Sequence, residues 1–500
     1  MMNDENTPIP QPFLDWYDIW PGQAGRDEHG RSWVQAPPQG VCLRVQPARM
    51  SDTFFQPERP WEAGGLGPKV ILFDEGRYRM WYGVAASADY HENLVCYAES
   101  DDGFDWVRPE LGIYESHGST ANNIVCDQNT FSLNAVFVDP SAPAAERYKA
   151  INPDSQYYLR GALAPDTGET KRKIREIRRR MELEGHTPEE IDAEAEIRRT
   201  VRGLVSPDGL RWSVLDEPLV DVGKTMLDTQ NIAAYDEDTG EYVAYLRGHV
   251  GRRRCVRRTG GKDFGNWGET RMVMMLDPQD EPDEDIYTSA YCRCPGSGRR
   301  LMFPSIFHRQ AATLDVHLAA SRDGWNWSRP ERKPIIGCEI GDEVYGCVFA
   351  RPNLVALGDR WGLPCFCIDQ RHDTWGAGPY KQRDYRWVLW KPDRLAALEA
   401  AAEGQFTTIN RVCEGKGMFL NFQTRIGGWV KVALVHPPST PPTPVTALDG
   451  FGMDDCDPLE GDEVSQAVTW NGRGDLSSLR GRDICVQIRM SRAKLFSIAV

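Results

Sequence analysis

One eight-residue pattern recurs along the chain and restricts the folds that are open to it. The stretches ESDDGFDW (Glu99 to Trp106), VSPDGLRW (Val205 to Trp212) and ASRDGWNW (Ala320 to Trp327) each place a tryptophan three residues after an Asp-Gly pair. Asp-Gly is typical of a tight turn between antiparallel strands, because both residues tolerate positive φ. Strand-like residues precede each copy. We therefore expect equivalent hairpins, with the tryptophan at the start of the second strand.

A second repeated element lies upstream of these turns. Five segments resemble a strand, an acidic or Gly/Pro turn and a second strand rich in aromatic residues: 70–83, 135–151, 232–247, 290–305 and 353–366. Together the two elements make a unit of four strands about every 60 residues, which is typical of a β-propeller blade. The repeats predict an all-β chain with a five-bladed β-propeller over residues 1–392.

Two parts of the chain depart from this repeat. Residues 165–200 are highly charged and rich in helix formers, with a Gly185 stop, a Thr187 cap and Pro188 at the first helical position. They predict a helical hairpin inserted in blade two. Beyond Asp393 short strands separated by Gly, Pro and Asp predict a C-terminal β-sandwich at 393–500. The stretch DRLAALEAAAEG at its start fits a helix by propensity or a first strand, and both remain open.

The charge balance argues against polyanions as general partners. The chain has 58 Lys and Arg against 73 Asp and Glu, a formal charge of -15, so we expect no nucleic-acid partner. No secretory signal and no membrane-spanning run is evident, and we expect a cytoplasmic protein. If the chain forms a homo-oligomer, we expect the helical insertion or the sandwich to form the interface.

The cysteines do not form a metal-binding pattern. Thirteen cysteines include no CxxC pair and no Cys/His ligand spacing. We expect reduced, buried cysteines and neither a cofactor nor a catalytic metal, while a structural metal on the propeller axis stays open.

Polar residues at the starts of the first strands are the candidates for chemistry, because those strand starts converge on the axial funnel of a propeller. Asp228, Asp285 and Glu343 occupy such positions in blades three, four and five. Hydrolysis of a glycosidic bond needs one protonated carboxyl and one carboxylate. The predicted substrate-binding residues are Glu62, Gln230, Asn231, Arg247, Tyr287, His308 and Trp375.

The repeated turns, the strand YRMWYG and the trailing β-rich segment resemble the five-bladed propeller glycosidases of the furanosidase-like superfamily, which contains glycoside hydrolase families 32 and 43. The resemblance covers about residues 40–392 and implies an Asp nucleophile or base, an Asp stabiliser and a Glu acid. Asp228, Asp285 and Glu343 follow that order. The families place this triad on their first three blades, whereas Gly67 stands about where the first Asp would be.

The resemblance implies a glycoside hydrolase acting on a terminal sugar or small oligosaccharide, with a furanoside as one candidate substrate. Two alternatives remain open. One is a glycoside phosphorylase, for which Arg247, His308, Arg309 and Arg351 are the candidate phosphate ligands. The other is a non-catalytic glycan-binding scaffold. The sugar, its linkage and the stereochemical outcome are not predicted.

Overall fold

The computed structural model describes residues 8–340, 343–374, 383–437 and 445–500. Most of these residues lie in antiparallel sheets, so the all-β prediction is confirmed. Within the described ranges, α-helix is confined to α1 (Gly168–Leu183) and α2 (Pro188–Glu194). Short 3-10 turns lie at Pro60–Glu62, Ala144–Glu146, His372–Thr374 and Ser477–Leu479. None of the described helices is both long and apolar enough to cross a bilayer.

Five four-stranded antiparallel units follow one another along the chain, and we call them blades 1 to 5. Blades 1 and 2 contain Leu66–Asp74, Arg77–Val84, Leu94–Ser100 and Ile124–Asp127, then Ala135–Val138, Tyr148–Leu159, Ala195–Ser206 and Ser213–Gly223. Blades 3 and 4 contain Ile232–Asp236, Glu241–Val250, Arg253–Gly261 and Arg271–Met274, then Glu284–Arg293, Arg300–His308, Ala319–Ser321 and Trp327–Ser328. Blade 5 contains Cys347–Ala350 with Val355–Leu357, Arg360–Ile368, Arg383–Trp390 and Arg49–Thr53.

Shorter strands supplement these sheets. Ala162–Ala164 pairs with the second strand of blade 2, and Thr313–Val316 pairs with the second strand of blade 4. A parallel bridge between Leu314 and Cys347 joins blades 4 and 5. Two further two-stranded pairs are Gln23–Arg26 with Ser32–Gln35, and Glu339–Ile340 with Glu343–Val344.

The blades form a closed ring. The first strand of each of blades 1 to 4 contacts the first strand of the next, and Arg360–Ile368 of blade 5 contacts the first strand of blade 1. Arg49–Thr53 precedes blade 1 in sequence but pairs with the third strand of blade 5, opposite Arg386 and Leu389. An early strand therefore completes the last blade, and the first strands surround a common axis.

The recurrent Asp-Gly turn has the same bonds in every copy and also links neighbouring blades. In blade 2, Ser206 Oγ accepts a hydrogen bond from Gly209 N at 2.9 Å, and Trp212 Nε1 donates to Gly209 O at 3.0 Å. Gly209 O also accepts a hydrogen bond from Trp81 Nε1 of blade 1 at 2.7 Å. The equivalent bonds are Trp387 Nε1 to Gly103 O and Tyr245 OH to Gly324 O. The turn thus holds two blades together.

The acidic turns after the first strands make a second set of links. Asp74 accepts from Arg147 at the start of the second strand of blade 2, at 2.6 Å. Asp236 accepts in the same way from Arg300 of blade 4, at 2.9 Å. The acidic residues of this repeat are therefore structural.

The helical insertion lies where the sequence predicts it. Strands Tyr148–Leu159 and Ala195–Ser206 run on past the blade, and α1 and α2 connect and contact their extensions. Thr187 caps α2 by accepting from Glu190 N, with Pro188 at the first helical position.

The C-terminal segment forms one seven-stranded sheet by its backbone pairing. Its strands are Ala396–Thr407, Arg411–Val412, Phe419–Val435, Asp462–Ala467 and Asp483–Ala499, joined by Gln11–Pro12 and Cys42–Val45. The stretch whose conformation was open is therefore a strand, and the predicted range 1–392 includes two strands that pair with the C-terminal sheet. The long strands lose register together, between Ala400 and Glu403 and between Thr424 and Trp429. Bulges of this kind bend a sheet. The predicted β-sandwich stays a prediction, since the backbone pairing forms a single sheet.

Candidate functional site

A cavity of about 470 Å³ lies on the propeller axis, and we call it the axial pocket. All five blades contribute to its wall. The lining residues are Gly65, Leu66, Gly67, Pro68, Lys69, Gly83, Val84, Ala85, Asn93, Gln128, Asn134, Asp228, Thr229, Gln230, Tyr287, Thr288, Phe349, Arg351, Phe366, Ile368 and Arg383. Concave sites in which polar groups from several elements converge are the usual sites of small ligands.

Bulges in two first strands determine which side chains reach this pocket. In blade 1, Pro68 pairs with Tyr82 and Val70 with Trp81, so Lys69 is the extra, unpaired residue. In blade 4, Ile286 pairs with Ile306 and Thr288 with Ser305, which leaves Tyr287 unpaired in the same way. A bulge redirects a side chain that strict alternation would have sent elsewhere. Lys69 and Tyr287 both line the pocket.

Asp228 is the predicted catalytic carboxylate that lines the axial pocket. Its side chain is 60% exposed and forms an ion pair with Arg247, whose side chain is 10% exposed. Burial lowers the pKa of Arg247, and the positive charge of Arg254 lowers it further against the opposing effect of Asp228. Arg247 therefore lies beside the pocket and holds the Asp228 carboxylate at its rim.

Several buried polar atoms around the pocket have no hydrogen-bond partner within the described part of the chain. They are both amide atoms of Gln230, the hydroxyls of Thr229 and Thr288, and Nε of Arg351. Gln230 is only 9% exposed. Buried polar groups are nearly always paired, so a local concentration of unpaired ones indicates a site that a ligand or water fills.

The side chain of Asn231 forms hydrogen bonds with main-chain groups. Its Nδ2 donates to Leu227 O at 3.0 Å and to Thr229 O at 2.9 Å, while its Oδ1 accepts from Arg247 N at 3.0 Å. The side chain is fully buried. Asn231 thus fixes the loop that presents Asp228 and Gln230.

Asp285 lies behind the pocket in a buried cluster of charges. Its side chain is inaccessible to solvent and accepts hydrogen bonds from Arg254 N and Nη1, at 2.8 and 3.0 Å, and from Arg309. Asp228 and Asp285 both affect the pKa of His249, which burial and the charges of Arg247 and Arg254 lower. The two carboxylates thus share one neighbourhood, and arginine neutralises both.

Glu62 is a buried structural carboxylate. It accepts from Glu58 N and Arg59 N at 2.7 and 3.0 Å, from Tyr82 OH and from Arg108 Nε at 2.8 Å. These partners engage both oxygens, and Glu62 is not among the residues that line the axial pocket.

Glu343 and His308 belong to other clusters. Glu343 accepts from Tyr345 OH at 2.7 Å and pairs with Arg386 at 2.7 Å. His308 hydrogen-bonds Asp315 at 3.1 Å, and this bond raises the pKa of the imidazole. The structure does not place either side chain in the wall of the pocket. Trp375 lies outside the described residues.

Lys69 and Thr288 line the pocket but are not among the residues that the sequence singled out. Arg351, which the sequence offered only as a phosphate ligand, also lines it. The signal for Lys69 is a bulge, which hydrophobic alternation does not reveal. Arg351 follows the end of the first strand of blade 5, so counting to the strand starts, which found Asp228, does not reach it.

The described residues contain no group of three or more His, Cys, Asp or Glu side chains that could hold a metal ion. The thirteen cysteines all lie in the described residues, and none of them is in a disulfide bond.

The chain matches no protein-family model and no curated protein. Similar solved structures include an N-acetylgalactosamine deacetylase from F. plautii, crystallised with blood group B trisaccharide, at 14% identity and TM-score 0.34, covering 78% of this chain and 97% of that one. A β-fructofuranosidase of glycoside hydrolase family 32 from Bombyx mori has 8% identity and TM-score 0.40, covering 91% and 94%. A thermostable family-43 glycoside hydrolase has 12% identity and TM-score 0.38, covering 70% and 96%. The two families that the sequence resembles thus occur among the similar structures.

Proposed function

We propose that the protein cleaves a glycosidic bond in the axial pocket and that Asp228 is the carboxylate that takes part in the reaction. The observation that best supports this proposal is that Asp228 is the predicted catalytic carboxylate exposed to this pocket. It lies beside polar side chains that have no hydrogen-bond partner among the described residues. Unpaired amide and hydroxyl groups suit a ligand rich in hydroxyls. Tyr287, Phe349 and Phe366 offer rings to the apolar face of a sugar.

In a hydrolytic reaction Asp228 acts as base or nucleophile, as the sequence resemblance implies. Asp285 then stabilises the site through the arginines that it holds, rather than by touching the sugar. Glu343 remains the proposed acid from the sequence. To serve in the axial pocket it has to leave Arg386 and Tyr345.

Phosphorolysis is the second candidate, and one observation favours it. Among the described residues, the pocket wall contains one carboxylate but several cationic side chains, namely Lys69, Arg351 and Arg383. In phosphorolysis a phosphate oxygen bonds to the anomeric carbon as the glycosidic C–O bond breaks. The phosphate takes the place of the attacking carboxylate, and Asp228 serves as the acid that protonates the leaving oxygen, so a second carboxyl is not required.

The test is turnover of a panel of aryl pyranosides and furanosides by the full chain, with and without inorganic phosphate. Asp228→Asn should lower kcat/KM for any active substrate by about 100-fold or more, because acid or base catalysis contributes on that scale. The matched control is Asp359→Asn, an exposed aspartate outside the axial pocket, which should retain wild-type activity. Unchanged turnover in Asp228→Asn would exclude the assigned role. Glycan binding without turnover would favour the scaffold alternative.

A further inference from the structure

We propose that Lys69 and Arg351 form a binding site for an oxyanion inside the axial pocket, which takes either free inorganic phosphate or the carboxylate of an acidic sugar. The identity of the anion as substrate rests on the proposed function. The existence of the site does not, because anion binding is measurable without turnover.

The fold brings the two cations together from opposite ends of the propeller sequence. Lys69 is the bulged residue in the first strand of blade 1, and Arg351 directly follows the first strand of blade 5. Blades 1 and 5 are neighbours because the ring closes between them. Both side chains line the axial pocket.

A glycine leaves room for the lysine side chain. A Cβ atom on Gly83 would lie 3.2 Å from Lys69 Cε and 3.1 Å from Gln128 Nε2. A larger residue at position 83 would therefore push against the lysine. The conformation of the Lys69 side chain therefore depends on glycine at position 83.

Within the described part of the chain, no carboxylate forms an ion pair with Lys69 or Arg351. Nearby arginines behave differently, since Arg247 pairs with Asp228, Arg254 with Asp285 and Arg386 with Glu343. Burial and then the charge of Arg351 lower the pKa of Lys69 to about 8. Burial likewise lowers the pKa of Arg351. The two side chains are partly buried, and two adjacent cations in such a place are unfavourable unless an anion accompanies them.

The hydrogen-bonding capacity fits an oxyanion. Nε of Arg351 is buried without an acceptor in the described residues, and the ammonium of Lys69 has three donors. Guanidinium and ammonium groups together are the usual ligands of phosphate and carboxylate. The chain as a whole carries a charge of -15, so attraction of an anion to this point has to come from these local groups.

Calorimetric titration of the full chain at pH 7 and low salt is the experiment, with inorganic phosphate, glucuronate and galacturonate as the probes and glucose as the neutral comparison. Lys69→Met and Arg351→Met should each weaken binding of the anion at least about tenfold. The matched control is Lys391→Met, whose lysine pairs with Asp462 at 3.2 Å outside the pocket. It should bind like the wild type.

A second pair of variants tests charge rather than removal of a side chain. Gly67 lines the pocket, and a Cβ there would have Gly83 O as its nearest neighbour at 3.8 Å, so the site has space for a side chain. Gly67→Asp should abolish anion binding by placing a carboxylate beside the cations. Gly67→Asn, which has the same shape and no charge, should retain most of it.

The outcomes distinguish free phosphate from an acidic sugar as the ligand. They also distinguish failure of the anion site from failure of the proposed glycosidic cleavage. Binding of phosphate alone supports a free phosphate ligand, and binding of the uronates alone supports an acidic sugar. If none of the anions binds at millimolar concentration, or if binding survives Lys69→Met and Arg351→Met, the anion site is excluded. Glycoside turnover without anion binding would refute this inference alone, and anion binding without any glycoside turnover would refute the proposed function alone.

Discussion

At the scale of single residues, the most unusual feature is Lys69. A bulge in its strand turns the side chain toward the axial pocket, where it has no carboxylate partner among the described residues. The titratable groups around Lys69 come from four blades. They are Cys126 of blade 1, Asp228 of blade 3, Tyr287 of blade 4, and Arg351 and Arg383 of blade 5. Burial raises the pKa of Cys126 to about 12 and also raises that of Tyr287, so both are neutral at pH 7. The charged groups that remain around Lys69 are the cations Arg351 and Arg383 and the carboxylate of Asp228, which pairs with Arg247.

Lys69→Met is expected to stabilise the ligand-free protein at neutral pH. The pKa of Lys69 is about 8 in the folded protein against 10.5 for an ordinary, solvated lysine, so the unfolded chain binds the extra proton more readily. This destabilises the wild type below pH 8, and the penalty disappears as the pH rises from 8 to 10.5. Removing the charge should raise the free energy of unfolding by ~1–3 kcal/mol at pH 7.

Urea unfolding of wild type and Lys69→Met at pH 7, 9 and 10 measures this effect. The gain should shrink as the pH rises, and saturating anion should reverse its sign by stabilising the wild type alone. Lys391→Met serves as the control and should show no gain. A variant that is less stable than the wild type at pH 7 without anion would contradict the expectation.

Counting from the repeated turns placed Asp228, Gln230 and Tyr287 at the pocket, because the start of a first strand has a fixed place in each blade. The same counting could not show that Glu62 and Asp285 are buried. Their partners Arg108 and Arg254 lie 46 and 31 residues away in sequence, and tertiary folding alone brings them together. Strand alternation likewise does not indicate the bulge that turns Lys69 inward.

At the scale of elements, the Asp-Gly turn connects hairpin geometry to blade packing. Gly209 has φ +76°, and a Cβ there would lie 2.7 Å from Trp81 Cζ2 of the neighbouring blade. The backbone conformation and the close approach each require glycine. Comparing alanine variants of two glycines can distinguish the cost of the backbone conformation from the cost of the contact with Trp81.

Gly209→Ala should destabilise the protein by more than Gly223→Ala. Gly223, in the same blade, has φ +67° and nothing within 4 Å of an added Cβ, so it carries the backbone strain without the contact. We expect about 1 kcal/mol for Gly223→Ala and ~2–4 kcal/mol for Gly209→Ala, since overpacking adds to the strain. Chemical unfolding of both variants measures the difference. Equal losses would mean that the contact with Trp81 contributes nothing.

Local propensity predicted some elements and failed for others. The cap residues Thr187 and Pro188 are local signals, and helix α2 begins where they predict. The alanine-rich stretch after Asp393 is instead a strand, because it pairs along Cys42–Val45 on one side and along Asp483–Ala499 on the other. Such pairing overrides helix propensity, which is worth only tenths of a kcal/mol per residue.

At the scale of the whole molecule, the early strand Arg49–Thr53 connects the two ends of the propeller sequence. The repeat count predicted the blades, but it could not show that a strand before blade 1 completes blade 5. Arg49–Thr53 is a five-residue strand of mixed exposure. Its sequence contains no pattern that identifies it as the partner of Arg383–Trp390.

Removal of residues 1–53 should leave the third strand of blade 5 as an exposed edge and promote aggregation. A chain that lacks only residues 1–38 keeps Cys42–Val45 and Arg49–Thr53 and provides the comparison. Size-exclusion chromatography and urea unfolding should show the shorter chain as less stable. A synthetic peptide of residues 46–56 should restore part of the stability by pairing in trans. Equal stability of the two truncated chains would contradict this role of the strand.

This closure also has a consequence for biosynthesis. Residue 53 is made before its partner Arg386 by more than three hundred residues, which takes tens of seconds at usual rates of translation. During that interval the early strand has no partner, and the ring cannot close. Synthesis of the third strand of blade 5, rather than any local folding event, is therefore expected to govern when the axial pocket first exists.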